Sequence, residues 1–303
     1  MPTTALTIGN FDAVHIGHAA LIARSRELAG PSGRVVALVF DPHPLTRLRP
    51  EAAPPRLSTF DQRSARLHAL GADTIERLDP DCGVLSLSPE QFVANLVEKY
   101  TPAAIVEGED FHFGKARAGN VRTLAALGRV HDFACDVVPP VEVALTDATI
   151  VRASSSIVRW LVAHARVRDA ALVLGRPYEV EGVVIRGDRR GRLIGCPTAN
   201  LHTEQLLPAD GVYAGVATLP DGRTLPAAIN VGTRPTFDGV GRRLEAHLLH
   251  APAKAECVEG LPEYGWRLRV EITRFVRDDL RFDSVEDLCA QMRRDLARCA
   301  TTP

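Results

Sequence analysis

The stretch TIGNFDAVHIGHAAL, residues 7–21, joins the end of an apolar strand pattern to the start of a helical one. It contains two histidines, His15 and His18, which share one face if the helix begins there, because they lie three residues apart. In parallel α/β sheets, ligands bind at the carboxyl ends of strands, and helix N-termini attract phosphate. The two imidazoles are compatible with four roles: metal ligands, acid–base groups, phosphate contacts or plain packing.

The spacing of the two histidines decides only in part between these four roles. A metal site needs at least a third ligand at a workable spacing, and none is evident nearby. Two donors at a helix start suit the phosphates of a nucleotide. An ordinary pair of polar surface histidines fits the spacing equally well, so the residues alone leave that alternative open.

Around this stretch, the first half of the chain alternates apolar strand patterns with amphipathic helices. Each helix pattern has an ordinary start or stop signal, such as Gly30 after the first helix and Pro89 in the first turn of a later one. Continuous runs of Val, Ile and Leu between such helices predict a parallel sheet covered on both faces. The predicted strands are ALTIGNF, GRVVALVFDPHP, DTIERLD and PAAIVEG; the predicted helices are HAALIARSRELAG, STFDQRSARLHALGA and SPEQFVANLVEKY.

The second half of the chain follows a different pattern, in which strand segments succeed one another with turns between them. In residues 266–273, apolar and polar side chains alternate, which is typical of a half-buried antiparallel strand. The pattern predicts a barrel or sandwich, closed by a helix over DSVEDLCAQMRRDLAR with Asp283 as its cap. A single helix over residues 155–175 is predicted before this strand-rich half, so we place the domain boundary between residues 174 and 175.

Composition narrows the classes of function. The chain has 303 residues, a hydrophobic content of 46% and a net charge of −1, which disfavours non-specific nucleic-acid binding. No apolar run approaches the roughly 20 residues that span a bilayer, and the first ten residues lack the basic region of a signal peptide. The six cysteines form no CxxC pair, so we expect reduced thiols in a cytoplasmic protein.

The second half also carries a candidate phosphate and metal site. Three glycines, Gly187, Gly191 and Gly195, surround a basic turn, which is compatible with a flexible hairpin or with a loop whose amides hold phosphates. Thr198 and Asn200 lie two residues apart on an extended segment, so both can offer oxygens to Mg²⁺ on one side. Glu245 and His247 share one face of the strand RLEAHLL, where a plain solvent-facing role is equally compatible.

Motifs in both halves resemble those of the bifunctional prokaryotic riboflavin kinase/FAD synthetase family, whose front domain belongs to the HxGH nucleotidyltransferases. The resemblance covers nearly the whole chain, and PTAN with GTRPTF at this spacing is the most specific part. The matching stretches, in the order of the family, are GNFDAVHIGH, FDPHP, PPRLSTFDQR, GEDFHFGKARAGN, SSSIVR, GDRRGRLIGCPTANL, LPADGVYAG, INVGTRPTF and RFDSVEDL.

This resemblance implies a Rossmann-like α/β adenylyltransferase domain over residues 1–174 and a small antiparallel β-barrel kinase domain with a C-terminal helix over 175–303. The first would convert FMN and ATP to FAD and pyrophosphate, with His15 and His18 at the phosphates. The second would phosphorylate riboflavin, with Glu245 as base and Mg²⁺ on Thr198 and Asn200. The remaining residues expected to bind nucleotide or flavin are Gly9, Asn10, Phe11, Asp110, Phe111, Arg152, Ser155, Ser156, Arg159, Gly187, Asp188, Gly191, Arg192 and Gly195.

Two positions and one segment depart from the family pattern, the segment being HAPAKAECVEGLPEYGWRL, with an insertion over residues 250–265 in place of a compact turn. Ala13 stands where the family usually has glycine, which restricts the loop only if the φ angle of this residue is positive. Cys196 stands where phenylalanine is usual before PTAN. Ala13 motivates an alternative in which the front half uses another nucleotide, such as CTP, or a modified flavin. A flavin-binding regulatory protein with one catalytic half lost is a further alternative, and we expect a monomer or weak homo-oligomer with small-molecule partners only.

Overall fold

The structure is a computed structural model that describes residues 3–187, 191, 195–236, 239–249, 253–254 and 257–300. Its contacts divide the chain into two compact units. The first comprises Met1–Val143 with Ile150–Ser155, and the second comprises Ala144–Thr149 with Ser156–Pro303. The boundary between residues 174 and 175 follows the change of sequence pattern, whereas the contacts group the two helices before it with the barrel.

The first unit is built on a five-stranded parallel sheet in the order β3-β2-β1-β4-β7. The chain adds strands to one side of β1 and then, from β4, to the other side, so the order reverses between β1 and β4. Such a switch point opens a crevice at the carboxyl ends of the strands. The strands are β1 (Thr4–Gly9), β2 (Arg34–Phe40), β3 (Thr74–Leu78), β4 (Ala104–Gly108) and β7 (Ala134–Val138), with two hairpins from β5 (His112–Phe113), β6 (Gly119–Asn120), β8 (Glu142–Ala144) and β9 (Ile150–Arg152).

Helices cover both faces of this sheet, as the continuous apolar strands predict. One core lies between the sheet and α4 and α5, and a second lies between the sheet and α1 and α3. The predicted stop is confirmed, because Gly30 ends α1 with a φ of 73°, and the structure adds a capping box of Thr59 with Gln62 at the start of α3. The helices are α1 (Ile16–Ala29), α2 (Leu45–Leu48), α3 (Phe60–Ala69), α4 (Pro89–Tyr100) and α5 (Val121–His131), with 3-10 turns at Pro50–Ala52, Val84–Ser86 and Lys115–Arg117.

The single helix expected over residues 155–175 is wrong, because the chain forms α6 (Ser155–Ala163) and α7 (Val167–Leu174) instead. Ala165 lies between them with a φ of 58°, which no α-helix accommodates. Arg166 then donates to the Asp169 carboxylate in the first turn of α7 at 2.6 Å. Helical periodicity continues across the break, so the sequence pattern conceals it.

The second unit is a closed antiparallel barrel, which decides between the predicted barrel and sandwich. Leu268, Val270 and Ile272 are fully buried, while Arg267 and Arg269, which alternate with them, are exposed, as the pattern predicts. The strands, in barrel order, are β10 (Tyr178–Ile185), β11 (Ala199–His202), β14 (Gly239–Leu248), β13 (Thr224–Thr236), β12 (Gly211–Thr218) and β17 (Arg267–Arg277), with a separate ribbon of β15 (Ala253–Lys254) and β16 (Cys257–Val258).

The C-terminal helix α8 (Val285–Ala300) packs on the outside of this barrel through Leu296 and Cys299. Its predicted cap is wrong by one residue. Ser284, rather than Asp283, accepts the Asp287 backbone N–H at 3.1 Å, because the helix begins one position later than the pattern indicates. In the described ranges, no helix has the length and apolar character needed to cross a membrane.

Candidate active sites

The loop between β1 and α1 has an unusual backbone. Phe11, Ala13 and Val14 have φ angles of 47°, 68° and 46°, in the left-handed region that favours glycine. For residues with a side chain, each such angle costs about 1–3 kcal/mol and persists only where the surroundings enforce it. A loop held in this way is typical of a functional site.

Hydrogen bonds from a neighbouring segment enforce this backbone. The Asp12 carboxylate accepts the backbone N–H groups of Leu57 and Ser58 and the Ser58 hydroxyl, with the two Ser58 bonds at 3.0 Å. Ser58 Oγ also accepts the Ala13 N–H at 2.8 Å, and Arg63 donates to the carbonyl oxygen of Asn10 at 2.7 Å. The motif PPRLSTFDQR therefore supports the first motif directly.

Ala13 adopts a left-handed backbone conformation, in which alanine is less favourable than the glycine that the family usually has. Its φ is positive, and its side chain is buried. The alanine therefore bears the steric cost that a glycine would avoid, about 1–2 kcal/mol.

The two histidines cap the first turn of α1. His15 is the N-cap residue, and its Nδ1 accepts the Gly17 N–H at 3.2 Å, while His18 Nδ1 accepts the His15 N–H at 3.3 Å. The rings stack with their centroids 3.7 Å apart. A Cβ on Gly17 would lie 3.0 Å from the His15 ring, so glycine between the histidines makes this close packing possible.

These bonds fix how the imidazoles face a ligand. Because each Nδ1 accepts a backbone N–H, the proton of each neutral ring lies on Nε2, which makes that edge a hydrogen-bond donor. The start of α1 adds the partial positive charge of a helix N-terminus. Within the part of the chain that the structure describes, no group of three or more His, Cys, Asp or Glu side chains is arranged to hold a metal ion. The geometry favours an anion as the ligand.

The second predicted phosphate-binding segment contacts this loop through Ser155. Ser155, at the start of α6, donates its hydroxyl to the Asp12 carbonyl oxygen at 2.8 Å. Ser156 and Arg159 follow in the same helix, and Arg152 is the exposed last residue of β9.

The remaining front-half candidates occupy the carboxyl edge of the sheet. Gly9 ends β1, and Phe11 packs its ring 5.0 Å from that of His18. The side-chain oxygen of Asn10 is buried and has no hydrogen-bond partner among the described residues, which is the state expected of an acceptor that a ligand satisfies.

Asp110 and Phe111 lie in the turn after β4. Asp110 is exposed, and the half-buried Phe111 stacks on Phe113 with ring centroids 5.4 Å apart. Phe113 itself is buried against Phe92, so core packing is its role, whereas Phe111 keeps part of its ring accessible.

In the barrel, strand pairing assembles the candidate kinase site. Glu245 on β14 lies opposite Asn200 on β11 and opposite Asn230 on β13. The Thr198 hydroxyl donates to the Glu245 carboxylate at 3.2 Å. The motif PTAN and the strand RLEAHLL therefore meet at this site, although 47 positions separate Thr198 from Glu245. His247 Nδ1 donates to the Pro197 carbonyl oxygen at 2.7 Å, which ties the same two segments together.

These residues line a cavity of about 980 Å³ between the barrel and α8. The cavity is of the size that small-molecule sites usually have. Its lining includes Gly191, Cys196, Thr198, Asn200, Val212, Ala228, Ile229, Asn230, Gly232, Thr233, Glu245, His247, Arg277, residues 279–285, Leu288, Met292, Asp295 and Leu296.

Sequence reasoning misses several of these residues. Asn230 reaches the site only through the register of β13 and β14, and Arg277 forms an ion pair of 2.8 Å with Asp295 of α8. Gln291 donates to the other oxygen of that carboxylate at 2.9 Å. No local signal marks these positions, because their pairing depends on how the helix docks on the barrel.

The glycine-rich loop is described in part. Gly187 lies so close to the Asn200 amide that a Cβ would clash with it, and Gly191 accepts the Cys196 N–H at 2.7 Å. Gly195 has a φ of 75°. The candidates Asp188 and Arg192 lie outside the described residues.

A family model described as FAD synthetase matches residues 1–152, and one described as riboflavin kinase matches residues 174–302. The bifunctional riboflavin kinase/FMN adenylyltransferase of Escherichia coli (strain K12) is 33% identical over 300 residues, which cover 96% of this chain and 90% of that protein. This chain belongs to the bifunctional riboflavin kinase/FAD synthetase family. The resemblance inferred from the motifs is confirmed.

Other relatives agree with this assignment. The protein of the same name from Pseudomonas fluorescens is 36% identical over 295 residues, with 96% of this chain and 90% of that protein covered. Among solved structures, one described as a macrolide-efflux protein from Streptococcus pneumoniae aligns with a TM-score of 0.85 at 27% identity, covering 100% of this chain and 96% of that chain. That likeness concerns the fold, and the efflux function in the name belongs to the other protein.

Proposed function

We propose that this chain catalyses two consecutive steps of flavin cofactor synthesis. The barrel half phosphorylates riboflavin with ATP to give FMN, and the α/β half transfers AMP from a second ATP to FMN, giving FAD and pyrophosphate. The observation that carries this function is the presence of both sites in one chain. The α/β half holds the paired-histidine helix start, and the barrel half holds the Glu245–Thr198 contact. Family models for the two activities match the respective halves.

In the α/β half, the chemistry needs alignment and charge stabilisation more than proton transfer. The phosphate of FMN is already a nucleophile and attacks the α-phosphorus of ATP in line, with pyrophosphate leaving. The Nε2–H edges of His15 and His18 are suited to donate to phosphate oxygens as negative charge develops on them. The α1 dipole acts in the same direction.

Further residues of the α/β half are assigned as binding contacts. Ser155, Ser156, Arg159 and Arg152 supply hydroxyl, amide and guanidinium donors to the phosphates, supported by the Ser155–Asp12 contact at the loop. The buried oxygen of Asn10 accepts a donor from the nucleotide, and its lack of a protein partner in the described ranges supports this. Gly9, Phe11, Asp110 and Phe111 complete the crevice for nucleotide and flavin.

In the barrel half, Glu245 accepts the proton of the ribityl 5′-hydroxyl of riboflavin as that oxygen receives the γ-phosphoryl group of ATP. Thr198 donates to the Glu245 carboxylate and so orients it toward the cavity. Gly187, Asp188, Gly191, Arg192 and Gly195 form the loop assigned to the ATP phosphates.

The residues beside Glu245 fit Mg²⁺. Thr198 and Asn200 offer neutral oxygens, and both line the same cavity as Glu245. Mg²⁺ prefers oxygen ligands and commonly takes few from the protein, with phosphates and waters completing its shell. When bound, it supplies neutralisation of the charge that develops on the transferred phosphoryl group.

Product analysis tests this function. The purified chain is incubated with riboflavin, Mg²⁺ and a mixture of nucleoside triphosphates, and the flavins are separated by chromatography over time. We expect FMN first and FAD second. A cytidine or guanosine dinucleotide in place of FAD would support the alternative nucleotide that Ala13 motivates, whereas flavin binding without any product would support the regulatory alternative. The cytoplasmic location and the weak or absent self-association stay predictions, which fractionation and sedimentation would measure.

A further inference from the structure

A glutamate that the proposed chemistry does not use lies at the switch point of the parallel sheet. β1 pairs with β2 along its whole length, as far as Gly9 and Val39, but its pairing with β4 extends only over Ala5 with Ala104 and Leu6 with Ile105. Beyond Leu6 the two strands separate. This divergence opens the crevice in which a nucleotide binds in sheets of this topology.

The side chain of Glu107 spans the gap between the separating strands. Its Oε1 accepts the Ile8 backbone N–H at 2.6 Å, in the place of the backbone acceptor that β4 would otherwise supply. Glu107 is 2% exposed, whereas the next carboxylates along the chain, Glu109 and Asp110, are exposed. The bond holds the last residues of β1, directly before Gly9 and Asn10, at a fixed distance from β4.

The surroundings of Glu107 favour the neutral carboxylic acid. Burial raises the pKa of this group well above its ordinary value, the Ile8 N–H opposes part of that rise, and the charge of Asp110 adds to it. Cys135 on β7 also faces it, and burial together with the charges of Glu107 and Asp136 raises the pKa of that thiol. Among the described residues, no lysine or arginine forms a salt bridge with Glu107.

We propose that Glu107 is a positioning residue for adenylyl transfer, which sets the width of the crevice between β1 and β4 and thereby the placement of the nucleotide. This inference rests on the proposed function of the α/β half. It assigns Glu107 no contact with the reacting atoms, since its carboxyl acts through the backbone of β1.

The proposal predicts a pH dependence confined to one of the two reactions. An ionised carboxylate without a cation is costly in a buried site, so on ionisation water enters the gap between β1 and β4 to solvate Glu107, and the end of β1 loses its fixed distance from β4. As the pH rises through the pKa of Glu107, the KM for ATP in FAD formation increases, by up to about tenfold per pH unit. Riboflavin phosphorylation in the barrel does not follow this change.

The experiment compares three full-length proteins: wild type, Glu107→Gln and Glu109→Gln. Glutamine keeps an acceptor for Ile8 and cannot ionise, and the Glu109 variant makes the same chemical change at an exposed position two residues away. Initial rates of FAD formation from FMN and ATP are measured from acid to alkaline pH, and riboflavin phosphorylation is measured on the same samples. We expect Glu107→Gln to lose the alkaline rise in the KM for ATP, while Glu109→Gln keeps it.

The same alkaline profile in wild type and Glu107→Gln would overturn the inference and leave the proposed function intact. Absence of FAD formation by wild type at every pH would instead refute the proposed function. Hydrogen exchange of the Ile8 amide in wild type provides a measurement that needs no variant. Its protection, corrected for the intrinsic pH effect, should fall as Glu107 ionises, and constant protection would contradict the proposal.

Discussion

The two candidate sites in this chain are built in opposite ways. In the α/β half, His15 and His18 are positioned by bonds to backbone groups within four residues, on a loop with strained backbone angles. In the barrel half, Glu245 is positioned by pairing with strands far away in sequence, on an unstrained ladder. The histidines of the first site are oriented locally, although distant residues support their loop, and the second site depends on the register of the whole barrel.

This contrast predicts which kinds of substitution each site tolerates. The front loop depends on backbone conformation and on its supports, Asp12, Ser58 and Arg63. The barrel site depends on side-chain charges and on the docking of α8, through Arg277 and Asp295. Substitutions that change backbone freedom should therefore affect the front half, and substitutions that remove charges should affect the back half.

The largest expected effect comes from Glu245→Gln. Loss of a general base should lower the rate of FMN formation by about 10²–10⁴-fold, while FAD formation from supplied FMN stays at the wild-type rate. Both rates are measured by chromatography of the flavins. Glu271→Gln, on another barrel strand, is the control and should change neither rate. Parallel loss of both activities in Glu245→Gln would contradict the separation of the two sites.

Asp295→Asn tests the docking of α8. It leaves Arg277, whose side chain is 15% exposed, without its charged partner, and breaking a buried pair costs about 3–5 kcal/mol. Calorimetry should show a lower unfolding temperature, with a raised KM for riboflavin. Asp221→Asn removes a carboxylate from a solvent-exposed pair with Arg223 and should leave the unfolding temperature unchanged. Equal effects of the two variants would show that the Arg277–Asp295 pair stabilises the protein no more than an exposed pair does.

His15→Ala should lower FAD formation by about 10²–10³-fold, as expected for loss of one donor to a developing charge. It also removes the N-cap of α1 and so lowers the free energy of unfolding by about 1 kcal/mol. His15→Asn separates the two roles, because asparagine caps well but carries no imidazole. We expect this variant to recover stability in denaturant titrations and not activity. Recovery of both would assign His15 a capping role only.

The smallest expected effect is that of Ala13→Gly. Removing the Cβ relieves about 1–2 kcal/mol of left-handed strain, while the freer unfolded chain offsets about 0.4–1 kcal/mol of this gain. The free energy of unfolding should rise by up to about 1 kcal/mol in denaturant titrations. Ala19→Gly, in the second turn of α1, should lower it by a similar amount. A destabilised Ala13→Gly variant would show that the loop strain has been overestimated.

Local signals in the sequence predicted what depends on local physics. The glycine stop at Gly30, Pro89 in the first turn of α4 and the alternation in β17 follow from nearby residues, and the structure confirms them. The break at Ala165 was missed because periodicity runs through it. Asn230, Asp295 and Glu107 were missed because their surroundings are set by strand register and burial, which no short window of sequence contains.

The central claim is that two independent sites in this chain act in sequence, and a mixing experiment tests it directly. Glu245→Gln and His15→Asn are incubated with riboflavin, ATP and Mg²⁺, first separately and then together. Each alone should give little or no FAD, with FMN accumulating only in His15→Asn, whereas the mixture should produce FAD because released FMN passes from one protein to the other. A mixture that makes FMN but no FAD, or FAD from riboflavin by either variant alone at the wild-type rate, would contradict the account.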